Sequence, residues 1–323
     1  MRASAELPCG ILPVDKPAGL TSHDVVQRVR KALGTRRVGH SGTLDPFATG
    51  LLVILVGEAA RLQSVFLGKN KTYRAEMSVG RSTDTGDATG RWTCAPQSGP
   101  WKDWDGAQWQ ACAQQLLGES EQRPPAYSAL HIDGKRSHEW ARQGEIKIHP
   151  MRRIWVHRLR ILAVKDTSVE FETEVSAGTY VRSLAETLAG RAGAPAHLTA
   201  LRRLASGELQ VDQARHESAW GPQALMPVER CLPLRASWRL GDLSETHRRS
   251  LSVGDFRFLL PRMVEDGWYS LENEATSGID TPKAIQIFER RAGVVKMVFN
   301  RLSEFQAPSF SGSASEESAF PAS

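Results

Sequence analysis

Asp45 lies within Val38-Gly39-His40-Ser41-Gly42-Thr43-Leu44-Asp45-Pro46-Phe47-Ala48-Thr49-Gly50, where glycines and small hydroxyl residues surround a single carboxylate. Pro46 biases the backbone of Asp45 away from the helical region, so the segment reads as a tight loop presenting one acid. It runs directly into Leu51–Val56, an apolar run of strand length with the character of a strand buried on both faces. A carboxylate on such a mount can act as nucleophile, base or counter-charge at one fixed point. An isolated Asp-Pro is more often a turn or a helix cap, so the rest of the chain has to decide.

The 323 residues suffice for one large core and a small appended domain. With 24% charged and 41% hydrophobic residues the composition is that of an ordinary globular chain. Lys and Arg total 41 against 36 Asp and Glu, a net charge of +5 that favours a polyanionic partner. The positive residues are clustered: Arg28, Arg30, Lys31, Arg36 and Arg37 precede the Asp45 loop, Arg152, Arg153, Arg158 and Arg160 follow later, and Arg202 and Arg203 are adjacent. Each cluster alone is compatible with a solvated face, but together they point toward nucleic acid. Cys9, Cys94, Cys112 and Cys231 are widely spaced and suggest neither a zinc site nor a disulfide framework. With no signal-type apolar core and no membrane-length apolar run, the expected location is a reducing cytoplasm. No phosphate-cradling glycine loop, dinucleotide fingerprint or metal-ligand cluster occurs, so the expected chemistry needs no cofactor and no metal.

The elements that must position Asp45 follow from periodicity. Gly10–Gly19 reads as a short strand entering a turn rich in Pro and Gly. Ser22 reads as the N-cap of a helix with Val25, Val26, Val29 and Leu33 on one face and Gly34 past its end. Glu58–Leu67 reads as a short helix, Lys71–Val79 as a half-buried strand, 83–90 as a polar acidic loop and Asp105–Leu117 as a helix stopped by Gly118. Residues 122–151 form a polar, basic insertion with a helix at Ser137–Gln143, suited to a mobile flap over a site. Strands follow at Ile154–Val164 and Val169–Val175. Gly178 and Thr179 then turn the chain into a helix ending near Gly190, and Ala196–Leu204 is a compact apolar and basic element. The irregular mixture of strands and helices predicts an α+β fold, a mixed and mostly antiparallel sheet flanked by helices. The expected organisation is a domain over 1–233 carrying the insertion, a small β-rich domain over 234–307 with a hairpin of Ala284–Glu289 and Val294–Phe299, and a disordered tail over 308–323.

Five stretches then converge on one family. The Asp45 loop, Asp15-Lys16-Pro17-Ala18-Gly19-Leu20-Thr21-Ser22-His23-Asp24, Tyr127-Ser128-Ala129, Gly178-Thr179-Tyr180-Val181-Arg182 and His197-Leu198-Thr199-Ala200-Leu201-Arg202-Arg203 closely resemble, in order, the motifs of the TruB family of tRNA pseudouridine-55 synthases. His131 departs from the lysine of that pattern, and the C-terminal region resembles only weakly the PUA domain usual in the family. The resemblance implies a sheet of the pseudouridine synthase type and a tRNA T-arm as partner, with no cofactor, no membrane and no obligate protein partner, the chain acting as a monomer. It implies that Asp45 is the catalytic carboxylate, Arg182 its charged partner, and Tyr73 the aromatic that stacks on the uracil and assists loss of the carbon 5 proton. It further implies that His40 fills the stack left by an extruded nucleotide, that Tyr180 and Leu201 flank the target base, that Lys16 and the arginine clusters hold phosphates, and that Asp87 contacts the site. Two rivals are a tRNA folding chaperone without essential catalysis and the catalytic subunit of a guide-RNA-dependent pseudouridylation complex.

Overall fold

Thr49–Val56 forms β3, and every residue from Gly50 to Val56 is buried, as an uncharged run of this kind requires. On one side β1 (Gly10–Lys16) runs antiparallel along its length, from Gly10 opposite Val56 to Lys16 opposite Gly50. On the other side the partner changes. β2 (Val38–His40) pairs antiparallel with the far end of β3, and β10 (Ala196–Ser206) pairs parallel with its start, Arg203 opposite Gly50. The chain linking β2 to β3 is the Asp45 loop, which leaves the sheet where those two partners part.

The computed structural model describes residues 8–132, 134–232 and 234–239, then 243–247, 267–272, 285–291 and 294–301, with residues 259, 263 and 265. It divides into two units, Met1–Leu232 and Pro233–Ser323. The first holds a nine-stranded sheet in which β4 (Lys71–Val79), β9 (Ser168–Val175), β8 (Arg152–Lys165) and β5 (Gly118–Gln122) continue the order β1-β3-β10-β4-β9-β8-β5, with β2 and β11 (Leu209–Gln210) off that path. Apart from the β10–β3 contact its pairings are antiparallel. β9 shows the period-two pattern: Val169, Phe171, Thr173 and Val175 are buried, and the intervening glutamates are half-buried. Helices α1 (Ser22–Leu33), α3 (Gly106–Gln114) and α5 (Val181–Arg191) supply the apolar layer, with α3 on β8 and α5 on β10. Among the described residues no helix is long and apolar enough to cross a membrane.

Several boundaries differ from the sequence reading. The cap of α1 is Thr21, in a reciprocal capping box with Asp24, while Ser22 is buried inside the helix. Glu58–Leu67 divides into a 3-10 turn, Gly57–Leu62, and a short helix α2, Gln63–Leu67, neither with a capping side chain. α3 ends at Gln114 in a tighter turn, and Gly118, at φ +94°, opens β5. Ala196–Leu204 belongs to a strand of 11 residues. The insertion contains a small hairpin, β6 (His131–Ile132) with β7 (Lys135–Arg136), and helix α4 (Ser137–Arg142). In the second unit β12 (Leu234–Arg239), β13 (Gly267–Glu272), β14 (Ile285–Arg291) and β15 (Val294–Arg301) form a four-stranded sheet in that order, with β14 and β15 pairing antiparallel. Most of 251–260 and all of 308–323 lie outside the described residues.

Gly50 is the hinge of this arrangement. Its φ is +99°, and a Cβ there would lie 2.3 Å from the Arg203 carbonyl oxygen and 2.7 Å from the Arg203 nitrogen. Backbone cannot yield as a flexible side chain can. Gly50→Ala is therefore expected to lower stability by at least about 1–3 kcal/mol, read as a fall in the urea midpoint, whereas Gly39→Ala, where a Cβ meets nothing within 4 Å, leaves that midpoint nearly unchanged.

Candidate active site

The loop carrying Asp45 is held from below at four points. Ser22 Oγ accepts from the Leu44 amide at 2.9 Å and donates to the Leu44 carbonyl at 3.2 Å, fastening the loop to α1. The Pro46 carbonyl accepts from the Gly19 amide at 2.8 Å and from Lys16 Nζ at 3.2 Å. The Ala48 amide closes back on the Asp45 carbonyl at 3.1 Å, and Arg203 Nη2 donates to the Gly42 carbonyl at 3.2 Å. Leu44 and Ala48 turn inward and are buried. Asp45 is left pointing out of a fixed turn.

Its partner is Arg182, at the start of α5 and 3% exposed. Arg182 Nε lies 2.9 Å from Asp45 Oδ2, and Nη2 donates to Oδ1 at 3.4 Å. The shorter contact is a charge pairing, because Nε is not aligned as a hydrogen-bond donor. The remaining capacity of the guanidinium goes elsewhere: Nη1 donates to the Thr85 carbonyl at 2.5 Å, Nη2 to the Tyr127 carbonyl at 2.8 Å, and Nη1 lies 3.8 Å from Asp87 Oδ2. Asp87 is fixed in turn, Oδ1 accepting from Thr85 Oγ1, the Thr89 amide and Thr89 Oγ1. Asp45, Asp87, Arg182, His40, Phe47 and Arg136 are among the residues lining one cleft of about 780 Å³.

Burial pushes the Asp45 carboxyl above the usual carboxylate range, the positive charge of Arg182 pulls it back, and the negative charge of Asp87 adds to the upward push. His40 is half-buried in the cleft. Burial first, then Arg203, holds its imidazole below its ordinary value, and the ring is neutral at pH 7. Burial raises the pKa of the Tyr180 phenol, which therefore stays protonated. Tyr180 is anchored by two hydrogen bonds between its backbone and the Gln122 side chain. Tyr73 and Leu201 lie in the apolar core, opposite Arg203 and Ala75 respectively. The Tyr73 hydroxyl has no hydrogen-bond partner among the described residues.

Two of the expected phosphate contacts are corrected by burial. Lys16 has no exposed surface, and its ammonium is taken by the carbonyls of Pro17, Leu20 and Pro46; burial lowers its pKa to about 8, with Asp45 opposing the shift. Arg203 is 1% exposed and donates from Nε to the Leu51 carbonyl at 2.6 Å. Both are scaffold cations. Asp87, expected in contact with the site, lines the cleft but spends its carboxylate on its own turn and on Arg182. Thr85 and Tyr127 were missed because they act through main-chain carbonyls, which side-chain chemistry does not announce. Arg203 had a signal: on a strand the adjacent Arg202 and Arg203 must face opposite sides, so only one can meet solvent.

Residues 30–181 match the family model described as TruB family pseudouridylate synthase, N-terminal domain. Over 271 residues the chain is 36% identical to a tRNA pseudouridine synthase B of Bacillus velezensis, covering 80% of this chain and 87% of that protein. A namesake from Corynebacterium aurimucosum is 35% identical over 83% of this chain and 90% of its own length. The chain belongs to the TruB family. The TruB protein of Syntrophotalea carbinolica is 42% identical over 205 residues, 64% of this chain and 66% of that protein. Among solved structures, a Cbf5–Nop10–Gar1 complex contains a chain that superposes with a TM-score of 0.59 at 22% identity, over 91% of this chain and 86% of that one. The latter likeness is one of fold.

The electrostatics make the Asp45–Arg182 pair testable by pH. A reaction that needs Asp45 as the anion loses rate as pH drops through its raised pKa. Removing the Arg182 charge removes the main force pulling that pKa down. Arg182→Met is expected to lower kcat by about 100-fold and to move the acid limb of kcat/KM to higher pH, as read from a rate–pH profile. An acid limb that stays in place in the variant would show that Arg182 does not set the charge state of Asp45.

Proposed function

We propose that this protein isomerises uridine to pseudouridine at position 55 in the T-arm of tRNA, acting alone, with the target nucleotide extruded into the Asp45 cleft. The observation that carries the reading is the half-buried carboxylate of Asp45 held against a buried Arg182 in a cleft of nucleotide size, in a chain whose relatives bear the name tRNA pseudouridine synthase B. The reaction is internally balanced. The N1–C1′ bond breaks, the uracil turns, a C5–C1′ bond forms, and the proton on carbon 5 leaves while N1 gains one. No electrons enter or leave, and no co-reactant is consumed.

Each step sets a demand that a residue meets. As N1 departs, positive charge develops at C1′, and the Asp45 carboxylate beside the sugar opposes it or bonds to the sugar. Arg182 keeps that carboxylate ionised, but its shared donors leave the oxygens only partly neutralised. Tyr73 has a hydroxyl without a hydrogen-bond partner among the described residues and is assigned to the uracil face and the carbon 5 proton. Tyr180, protonated and held through its backbone by Gln122, is assigned to a donating role. Leu201 packs behind the base. Extrusion breaks stacking, and His40, neutral and half-buried on the loop, is assigned to the vacated place in the stack.

Tritium release from tRNA transcribed with uridine labelled at carbon 5 tests the reading. Wild-type protein is expected to release about one equivalent per tRNA, as removal of a single proton per site requires, and Asp45→Asn is expected to bind the same tRNA and release none. Binding without release by the wild-type chain would replace the reading with that of a tRNA chaperone. Release that begins only after another protein or a guide RNA is added would replace it with that of a subunit.

A further inference from the structure

At the C-terminal end of α1, away from the Asp45 cleft, Gln27, Arg30, Lys31, Gly34, Thr35 and Arg36 line a depression of about 490 Å³. Three of the six are cations and none is an acid. Cations in the last turn of a helix complement its dipole, which accounts for Arg30 and Lys31 in part. It does not account for Arg36, which lies beyond the cap at Gly34 and is exposed. The surrounding arginines behave differently: Arg28 on the same helix pairs with Glu217 at 2.9 Å, and Arg37, next in sequence to Arg36, pairs with Glu58. Lys31 and Arg36 have no carboxylate partner among the described residues. Arg30 Nε is buried and has no acceptor there either, although Arg30 Nη2 donates to the Val38 carbonyl at 3.1 Å.

We infer that this depression seats a backbone phosphate of the RNA substrate, outside the cleft that holds the target nucleotide. A phosphodiester supplies the missing element, an anionic acceptor set for three convergent donors, without requiring any existing ion pair to break. Gly34 has no side chain to crowd the approach. The seat also touches the machinery. Arg30 holds Val38, the first residue of β2, and the Val38 amide donates to the Arg36 carbonyl at 2.9 Å, so the residues around the phosphate brace the strand that ends in His40. The backbone contact therefore fixes the RNA relative to the loop that opens its stack. Such a contact positions the substrate without reading its sequence.

The inference rests on the RNA-substrate reading, and the test separates the two. Full-length tRNA transcript is titrated against wild type, the Lys31→Ala/Arg36→Ala double variant and an Arg28→Ala control at several salt concentrations, with tritium release measured in parallel. The double variant is expected to bind at least about tenfold more weakly, with the slope of log affinity against log salt reduced by about one, while kcat at saturating tRNA is unchanged. Arg28→Ala is expected to weaken binding clearly less than the double variant, because Glu217 already holds that charge. Unchanged affinity and slope in the double variant, with wild-type turnover intact, would overturn the phosphate seat and leave the substrate reading standing. A wild-type chain that neither binds nor modifies tRNA would overturn both.

Discussion

Much of the first unit converges on one conflict, that of an Asp45 carboxyl set partly out of water yet paired as a charge with Arg182. A carboxylate that opposes positive charge on a sugar is most effective away from water, but removal from water favours its protonated form. Arg182 resolves the conflict only in part, because its donors are not all spent on Asp45. The guanidinium is accordingly shared among Asp45, the carbonyls of Thr85 and Tyr127, and Asp87 at longer range. Those partners come from the loop before β3, the turn after β4 and the insertion, while Arg182 itself begins α5. The pair is thus the junction at which four separated stretches of sequence must meet.

The scaffold beneath that junction is held by buried cations rather than by buried acids. Lys16 binds three carbonyls around the turn into α1, Lys71 binds those of Phe66, Leu67 and Lys69 at the end of α2, and Arg203 fills the gap in β3 left between β2 and β10. Each donates to main-chain carbonyls that converge on it. Burial lowers the pKa of both lysines to about 8, so their folded forms release a proton that the unfolded chain still holds up to its ordinary value near 10.5. Their contribution to stability therefore rises with pH across that window. At neutral pH both remain largely charged, and Lys16 adds a positive field next to Asp45. The charge serves the loop twice, through hydrogen bonds and at a distance.

The sequence carried the local part of this design plainly. β3 was evident from its uncharged run, α1 from Val25, Val26, Val29 and Leu33, and β9 from its alternation, because each pattern has a period set by the backbone itself. The Asp45 loop was legible from its glycines and proline. What periodicity could not carry was partnership. Nothing in the run 196–204 shows that it lies parallel beside Thr49 and Gly50, nor that Lys16 faces inward from a strand end, since both depend on contacts made far along the chain. Ser22 has the composition of a cap and instead fastens the loop, a role visible only once Leu44 is beside it. The residues of the site were reached through family motifs, and even where a motif contains Tyr127 it does not announce that the Tyr127 carbonyl binds Arg182.

A net charge of +5 says little about where a polyanion would bind, because much of the basic content is already paired. Arg28, Arg37, Arg74, Arg158 and Arg202 each face a carboxylate across a strand or loop. Exposed pairs of this kind are worth only about 0–1 kcal/mol, so an arriving phosphate can compete for such an arginine at small cost. Pairing delays these contacts without forbidding them. It also damps non-specific attraction, since a paired surface presents a weaker long-range field to any nucleic acid. Cations with no acid beside them break nothing when they bind, and they exert their field before contact. The order of engagement on a surface like this one follows from which arginines are already paired more than from how many there are.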